Sequence, residues 1–327
     1  MRGERVRFPN TERGNTLKRS AAPKIEFVKQ LADEFFGKSV EVERVTKGGS
    51  TYVFRIIEGN QTYYLRVLPE PNASFAVEVH VHELLIKKGV NVPTILCFEH
   101  KNNLMELSIM IAKEIVGNDL EAGSMMLNGT IEQVLFEAGK QIALVNQVAV
   151  EGFGELNRAI HDTLVGEFKT FHHYYNENLE NDLFLLSKYN LDEQEKKAAQ
   201  HFLEIGFDWM DNKTSHLVHG DFDLSHIFHN HGTYTGIIDF GDIKGSSPFY
   251  DLGHYKTHDS IKGFESLVRG YKDIRDLSPK DDLEISLWAL FIAVRRLGMI
   301  HNRPRNFYHD HLTNTLKNLV VELNQKI

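Results

Sequence analysis

Alternation of apolar and polar positions governs the first third of the chain. Residues 41–45 and 52–57 read as two strands joined by a turn at Lys47-Gly48-Gly49-Ser50, and residues 62–68 (TYYLRVL) read as a third. Apolar residues at 77, 81, 84 and 85 recur with the helical period, so residues 75–88 are predicted to be a helix that stops at Lys87-Lys88-Gly89. Pro93 opens another short strand, and residues 107–112 form the next. After residue 116 the pattern is mostly helical. Val134, Leu135, Ala138, Ile142 and Val145 place a helix over 131–148, residues 161–210 hold two or three helices rich in aromatics and acids, and residues 283–300 and 308–323 read as closing helices. One stretch departs from this. The apolar runs His216-Leu217-Val218 and Ile237-Ile238 each precede an aspartate, Asp221 and Asp239. Between them, Ile227-Phe228 runs out and residues 234–238 return through Asn230-His231-Gly232, a hairpin that brings the two carboxylates to neighbouring points at one edge of a small sheet. The expected fold is α+β, with a strand-rich part over 1–115 and a larger, mostly helical part over 116–327.

Composition narrows the class of protein without changing that outline. With 327 residues and 42% apolar content the chain is long enough for two packed parts, and at 25% charged residues it is not disordered throughout. The single cysteine, Cys97, excludes an internal disulfide framework and any multi-cysteine zinc site. The net charge of −8 argues against nucleic acid as a partner and favours cationic small molecules. No apolar run approaches the ~20 residues that span a bilayer, so no membrane partner is expected and the cytoplasm is the default location. Residues 1–24 carry seven Lys/Arg against two Glu and read as a polar, basic arm.

The region from His219 to Asp242 carries the chemistry. HGDxxxxH followed by IDFGD resembles the aminoglycoside phosphotransferase family, relatives of the protein kinases that phosphorylate hydroxyls of small molecules. The resemblance implies a bilobal, protein-kinase-like fold, with an N-terminal antiparallel sheet lobe bearing one main helix. It also implies ATP or GTP as phosphate donor, with Mg²⁺ or Mn²⁺. Asp221 would accept or orient the proton of the attacking hydroxyl, His219 would brace the loop, and Asp239 would bind the metal. His226 stands where kinases have a metal-ligating asparagine. Macrolide phosphotransferases resemble the chain in this histidine, which would make activity fall as pH drops through its titration. In the first lobe, Gly48, Gly49, Ser50 and Thr51 would offer amides and hydroxyls to phosphate. Arg66 takes the place of the phosphate-binding lysine, with Glu78 as its partner. The backbone of Lys113 to Ile115 would hydrogen-bond the adenine. Asp251, in YDLG, would tie its helix to the catalytic loop.

The acceptor is the open half of the reaction. An aminoglycoside-type antibiotic, implying a resistance role, is the family's first expectation. A macrolide, or a metabolite such as choline, homoserine or thiamine, is the alternative. Two other classes stand beside these. One is a nucleotide-binding module without catalysis, suggested by the departures at Arg66 and His226. The other is a metallohydrolase built from His216, His219, Asp221, His226, His229 and His231, whose spacing fits no helical zinc motif.

Overall fold

The computed structural model of the chain describes residues 19–46, 49–121, 128–158, 163–210, 214–258 and 261–327. These residues fall into two units, those within Met1–Val116 and Asn157–Asp162 and those within Gly117–Leu156 and Thr163–Ile327.

In the first unit, the period-two pattern becomes a five-stranded antiparallel sheet. Helix α1 (Ile25–Phe36) precedes strands β1 (Glu41–Val45), β2 (Tyr52–Glu58) and β3 (Gln61–Val67); helix α2 (Ala76–Lys87), β4 (Ile95–Glu99) and β5 (Ile109–Lys113) follow, in sheet order β1-β2-β3-β5-β4. Alternate side chains share a face, so Phe54, Ile56, Leu65, Val67, Ile109 and Ile111 gather in one fully buried layer. The helix that covers them, α1, is an element the sequence pattern left unassigned. Its Val28, Leu31 and Ala32, at i, i+3 and i+4, join the same core. Arg66 points to the other face, where Leu68, Phe75 and Met110 form a second cluster.

The second unit is mixed and mostly helical. It contains β6 (Asn118–Asp119), α3 (Asn128–Val145), β7 (Phe153–Leu156), β8 (Gly166–Phe168), α4 (Phe171–Asn176), α5 (Leu179–Leu185), α6 (Glu193–Met210), β9 (His216–Val218), β10 (Ile227–Asn230), β11 (Thr233–Ile237), β12 (Lys244–Ser246), α7 (Tyr250–Lys256), α8 (Ile261–Ile274), α9 (Pro279–Ile300) and α10 (Phe307–Lys326). Residues 283–294 of α9 are buried on every side, with Trp288 completely enclosed, so this helix is the axis of the helical core. Among the described residues no helix is long and apolar enough to cross a membrane.

Two small sheets carry the site. One has the order β11-β10-β6 and the other β8-β7-β12-β9. The expected hairpin is present: β10 and β11 pair antiparallel, and the turn places His231 at φ 47° and Gly232 at φ 83°. Two positive values in succession suit the tight turn that matches strand twist.

Helices α7, α9 and α10 are tied by one carboxylate. Glu322 Oε1 lies 2.6 Å from Lys256 Nζ and 2.7 Å from Lys326 Nζ, and accepts from Ser286 Oγ at 2.8 Å. Burial alone would raise this carboxyl, but the Lys256 charge and hydrogen bond, followed by those from Lys326 and Ser286, hold it at about 2 against an ordinary 4.5. A depressed acid contributes stability above its unfolded value and loses it as pH falls through the folded value. Glu322→Gln is therefore expected to lower the melting temperature at neutral pH, with the gap to wild type closing between about 4.5 and about 2. A gap that stays constant over that range would contradict the assignment.

Candidate active site

The HGD loop is held by Asp251. Its Oδ2 accepts from His219 N at 2.9 Å and from Asn146 Nδ2 at 3.0 Å, and its Oδ1 accepts from Gly220 N at 3.0 Å. Two successive loop amides are thus satisfied by one buried carboxylate on the first turn of α7. His219 is fully buried. Its Nε2 donates to the Ile238 carbonyl at 2.9 Å, which leaves Nδ1 to accept from Asp221 N at 3.4 Å. Burial, and then the neighbouring His226, push its imidazole towards the neutral form. His219 thus binds the HGD loop to Ile238, the residue between the end of β11 and Asp239.

Gly220 is required by geometry. It sits at φ +83°, and a Cβ built there would lie 2.0 Å from the Asp242 carbonyl oxygen. Gly220→Ala is expected to destabilise the protein by more than about 2 kcal/mol, combining left-handed strain with a backbone clash. A melting temperature equal to wild type would show that the loop tolerates a side chain.

Asp221 is held by two groups that sequence spacing did not reveal. Its Oδ1 accepts from Arg296 Nη2 at 2.8 Å and lies 3.4 Å from His254 Nε2. The guanidinium also contacts His254 Nε2 and donates from Nη1 to the Tyr308 hydroxyl at 2.9 Å. His254 Nδ1 donates to the Phe222 carbonyl at 2.9 Å. Residues from α7 and α9 therefore converge on one carboxylate oxygen, and Tyr308 of α10 accepts from the guanidinium that holds it. Burial alone would raise Asp221, but the His254 hydrogen bond and the Arg296 charge outweigh it and hold the carboxyl well below its usual range.

Asp239 lies at φ 66°, ψ 62°, a left-handed position where aspartate is one of the few residues tolerated. His226, fully enclosed, spans the two loops. Its Nδ1 donates to the Asp221 carbonyl at 2.7 Å and its Nε2 lies 3.8 Å from Asp239 Oδ2. A carbonyl only accepts, so Nδ1 carries a proton, and Nε2 faces the Asp239 carboxylate. Asp242, exposed, is a third acid in this group. The surrounding protein mass, then the charges of Asp221 and Asp239, push its carboxyl upward.

The first unit supplies the other candidates. Arg66 and Glu78 form an ion pair, with Glu78 almost wholly buried in the first turn of α2 and the guanidinium 5.3 Å from the Phe75 ring centre. Gly48 lies outside the described residues. Gly49 and Ser50 are exposed in the β1–β2 turn, followed by Thr51 at the entry to β2. The hinge reading changes in one respect. Lys113 belongs to β5, its N–H donates to the Thr94 carbonyl at 2.9 Å, and the Glu114 N–H donates to the Thr62 carbonyl at 3.1 Å. Both amides are spent inside the unit, so neither is free to hydrogen-bond a base as the sequence reading expected.

Arg296, His254, Tyr308 and Asp242 were not among the sequence candidates. Only Asp242 had a local signal, as the last acid of IDFGD.

A family model described as the phosphotransferase enzyme family matches residues 41–280. Comparison with curated protein sequences finds no match. Among solved structures, a thermostable mutant of aminoglycoside phosphotransferase APH(4)-Ia in its apo form is similar with a TM-score of 0.67 at 16% identity, covering 90% of this chain and 98% of that one. A ternary complex of an APH(4)-Ia mutant with ADP and hygromycin B gives 0.64 at 16% identity, with 91% and 98% covered. ADP-bound aminoglycoside phosphotransferase APH(2'')-Ib gives 0.59 at 14% identity, with 92% and 98% covered.

Proposed function

The chain belongs to the phosphotransferase enzyme family, and from that premise we propose that it moves the γ-phosphate of ATP, or of GTP, to a hydroxyl of a small molecule. The observation that carries this reading is the union of the two aspartate loops. His219 links the HGD loop to Ile238, and His226 reaches from the Asp221 carbonyl towards the Asp239 carboxylate. A group that orients the nucleophile beside a metal ligand is what such a transfer requires.

Asp221, kept anionic by Arg296 and His254, receives the acceptor hydroxyl as a hydrogen-bond donor and aims its oxygen at phosphorus. A carboxylate held this low is a weak base. Its part is orientation before transfer and acceptance of the proton as the new P–O bond forms. The loose transition state of phosphoryl transfer asks little more of a base.

His226 and Asp239 fit a divalent cation by their chemistry. They present one imidazole nitrogen and one carboxylate oxygen 3.8 Å apart, a nitrogen and an oxygen donor type that divalent cations accept. Among the described residues no cluster of three or more such ligands occurs, and magnesium characteristically takes one or two carboxylates and completes its shell with phosphate oxygens and water. When bound, the metal neutralises charge building on the phosphates. In the first unit, Gly49, Ser50, Thr51 and the Arg66–Glu78 pair are assigned to the triphosphate.

An aminoglycoside-type antibiotic is the first acceptor to test. The structural neighbours that carry this name and the acidic net charge of −8 favour it, and a cytoplasmic enzyme with a resistance role would follow. His226 favours a macrolide as the second reading. The test is a panel of aminoglycosides, macrolides, choline, homoserine and thiamine incubated with ATP or GTP and Mg²⁺ or Mn²⁺, read by mass spectrometry for addition of one phosphate. Modification of an aminoglycoside is expected. Nucleotide binding with no modified compound would favour a non-catalytic module instead.

A further inference from the structure

The basic arm at the start of the chain has no part in the reaction described so far, yet its last residues lie across the β1–β2 turn. Arg19 Nη2 donates to the Gly49 carbonyl at 2.9 Å and to the Ser50 carbonyl at 3.1 Å. The arm is seated by contacts independent of that pair. Ser20 N donates to the Pro69 carbonyl at 2.8 Å, the Tyr52 hydroxyl donates to the Ser20 carbonyl at 2.7 Å, and Arg19 Nε lies 3.6 Å from Glu70. The guanidinium also sits 5.9 Å from the Tyr52 ring centre.

Peptide geometry gives these contacts a consequence. A trans peptide sends its carbonyl and its N–H to opposite sides. When one guanidinium draws both the Gly49 and Ser50 carbonyls, the N–H groups of Ser50 and Thr51 face away from it. A cation on the carbonyl end also polarises each peptide and strengthens its N–H as a donor. Successive amides facing one way form an anion-binding concavity.

We propose that Arg19 is a positioning residue that presets the Gly49–Thr51 turn to receive nucleotide phosphates. This inference rests on the nucleotide reading given above and adds to it a role for the N-terminal arm. Arg19 itself need not touch the nucleotide.

The test compares wild type, Arg19→Ala and Arg19→Lys, with folding checked by melting temperature. ADP with Mg²⁺ is titrated calorimetrically, and adenosine, which lacks phosphate, is titrated by saturation-transfer NMR. Arg19→Ala is expected to weaken ADP by roughly 3- to 10-fold, the scale of one or two modest hydrogen bonds. Adenosine affinity is expected to stay unchanged, and Arg19→Lys to recover part of the loss. Unchanged ADP affinity in Arg19→Ala, or equal losses for ADP and adenosine, would overturn the proposal. A wild-type protein that binds neither ligand would instead refute the nucleotide reading, and this inference with it.

Discussion

Asp221→Asn is expected to lower turnover at least ~10²-fold while nucleotide affinity changes little. The substitution is nearly isosteric, so the loss comes from hydrogen-bond polarity. In the native site Oδ1 accepts from Arg296 Nη2 at 2.8 Å, which leaves the rest of the carboxylate to accept from an incoming hydroxyl. An asparagine has one acceptor oxygen and one donor NH₂. With its oxygen turned to Arg296, it offers a donor to the acceptor hydroxyl, which then loses its aim. With the amide reversed, two donors face each other at Arg296. Either arrangement spoils the geometry, and the charge that holds the guanidinium is gone as well. The measurement is initial rate on the phosphorylated acceptor, paired with calorimetric titration of ADP. Near-normal turnover would remove Asp221 from the mechanism.

Asp239→Ala is expected to abolish metal-dependent nucleotide binding. The carboxylate is the only anionic oxygen donor assigned to the cation, and imidazole nitrogen at His226 is a poor substitute for magnesium. The backbone complicates the alanine variant, because Asp239 lies at φ 66° and an alanine there costs about 1 kcal/mol or more. Asp239→Asn, which tolerates the left-handed region, separates that strain from the loss of the ligand. Both variants are expected to bind ADP with the same affinity in the presence and absence of Mg²⁺. Metal dependence equal to wild type would refute the assignment.

Local pattern made part of this molecule legible. The hairpin from Ile227 to Ile237 is there because two short strands flank a His231-Gly232 turn, although a bulge beside Phe228 and His229 breaks the alternation that the sequence suggested. Arg66 and Glu78 pair because a strand of alternating pattern and the first turn of the following helix are close in sequence, only 12 residues apart. Asp251 is anchored to the HGD loop as its YDLG context implied.

What stayed hidden is non-local. Arg296 meets Asp221 across 75 residues and His254 meets Arg296 across 42, and no spacing rule within a helix signals such a meeting. Helix α1 is a different case: its apolar positions 28, 31, 32, 35 and 36 do recur with the helical period, so this element was legible in the sequence and went unassigned. Which amides of residues 113–115 are left unspent depends on where β5 ends, and strand ends are set by pairing with β3 and β4 more than by the residues themselves.

The most direct test follows a radiolabelled γ-phosphate through single turnover with Mg²⁺, acceptor and either wild-type or Asp221→Asn protein. In the wild type, label is expected to leave the nucleotide and appear on an acceptor hydroxyl, while Asp221→Asn binds the nucleotide and keeps the label there. Label retained on the nucleotide by the wild type, or transferred equally well by Asp221→Asn, would contradict a transfer centred on the two linked aspartate loops.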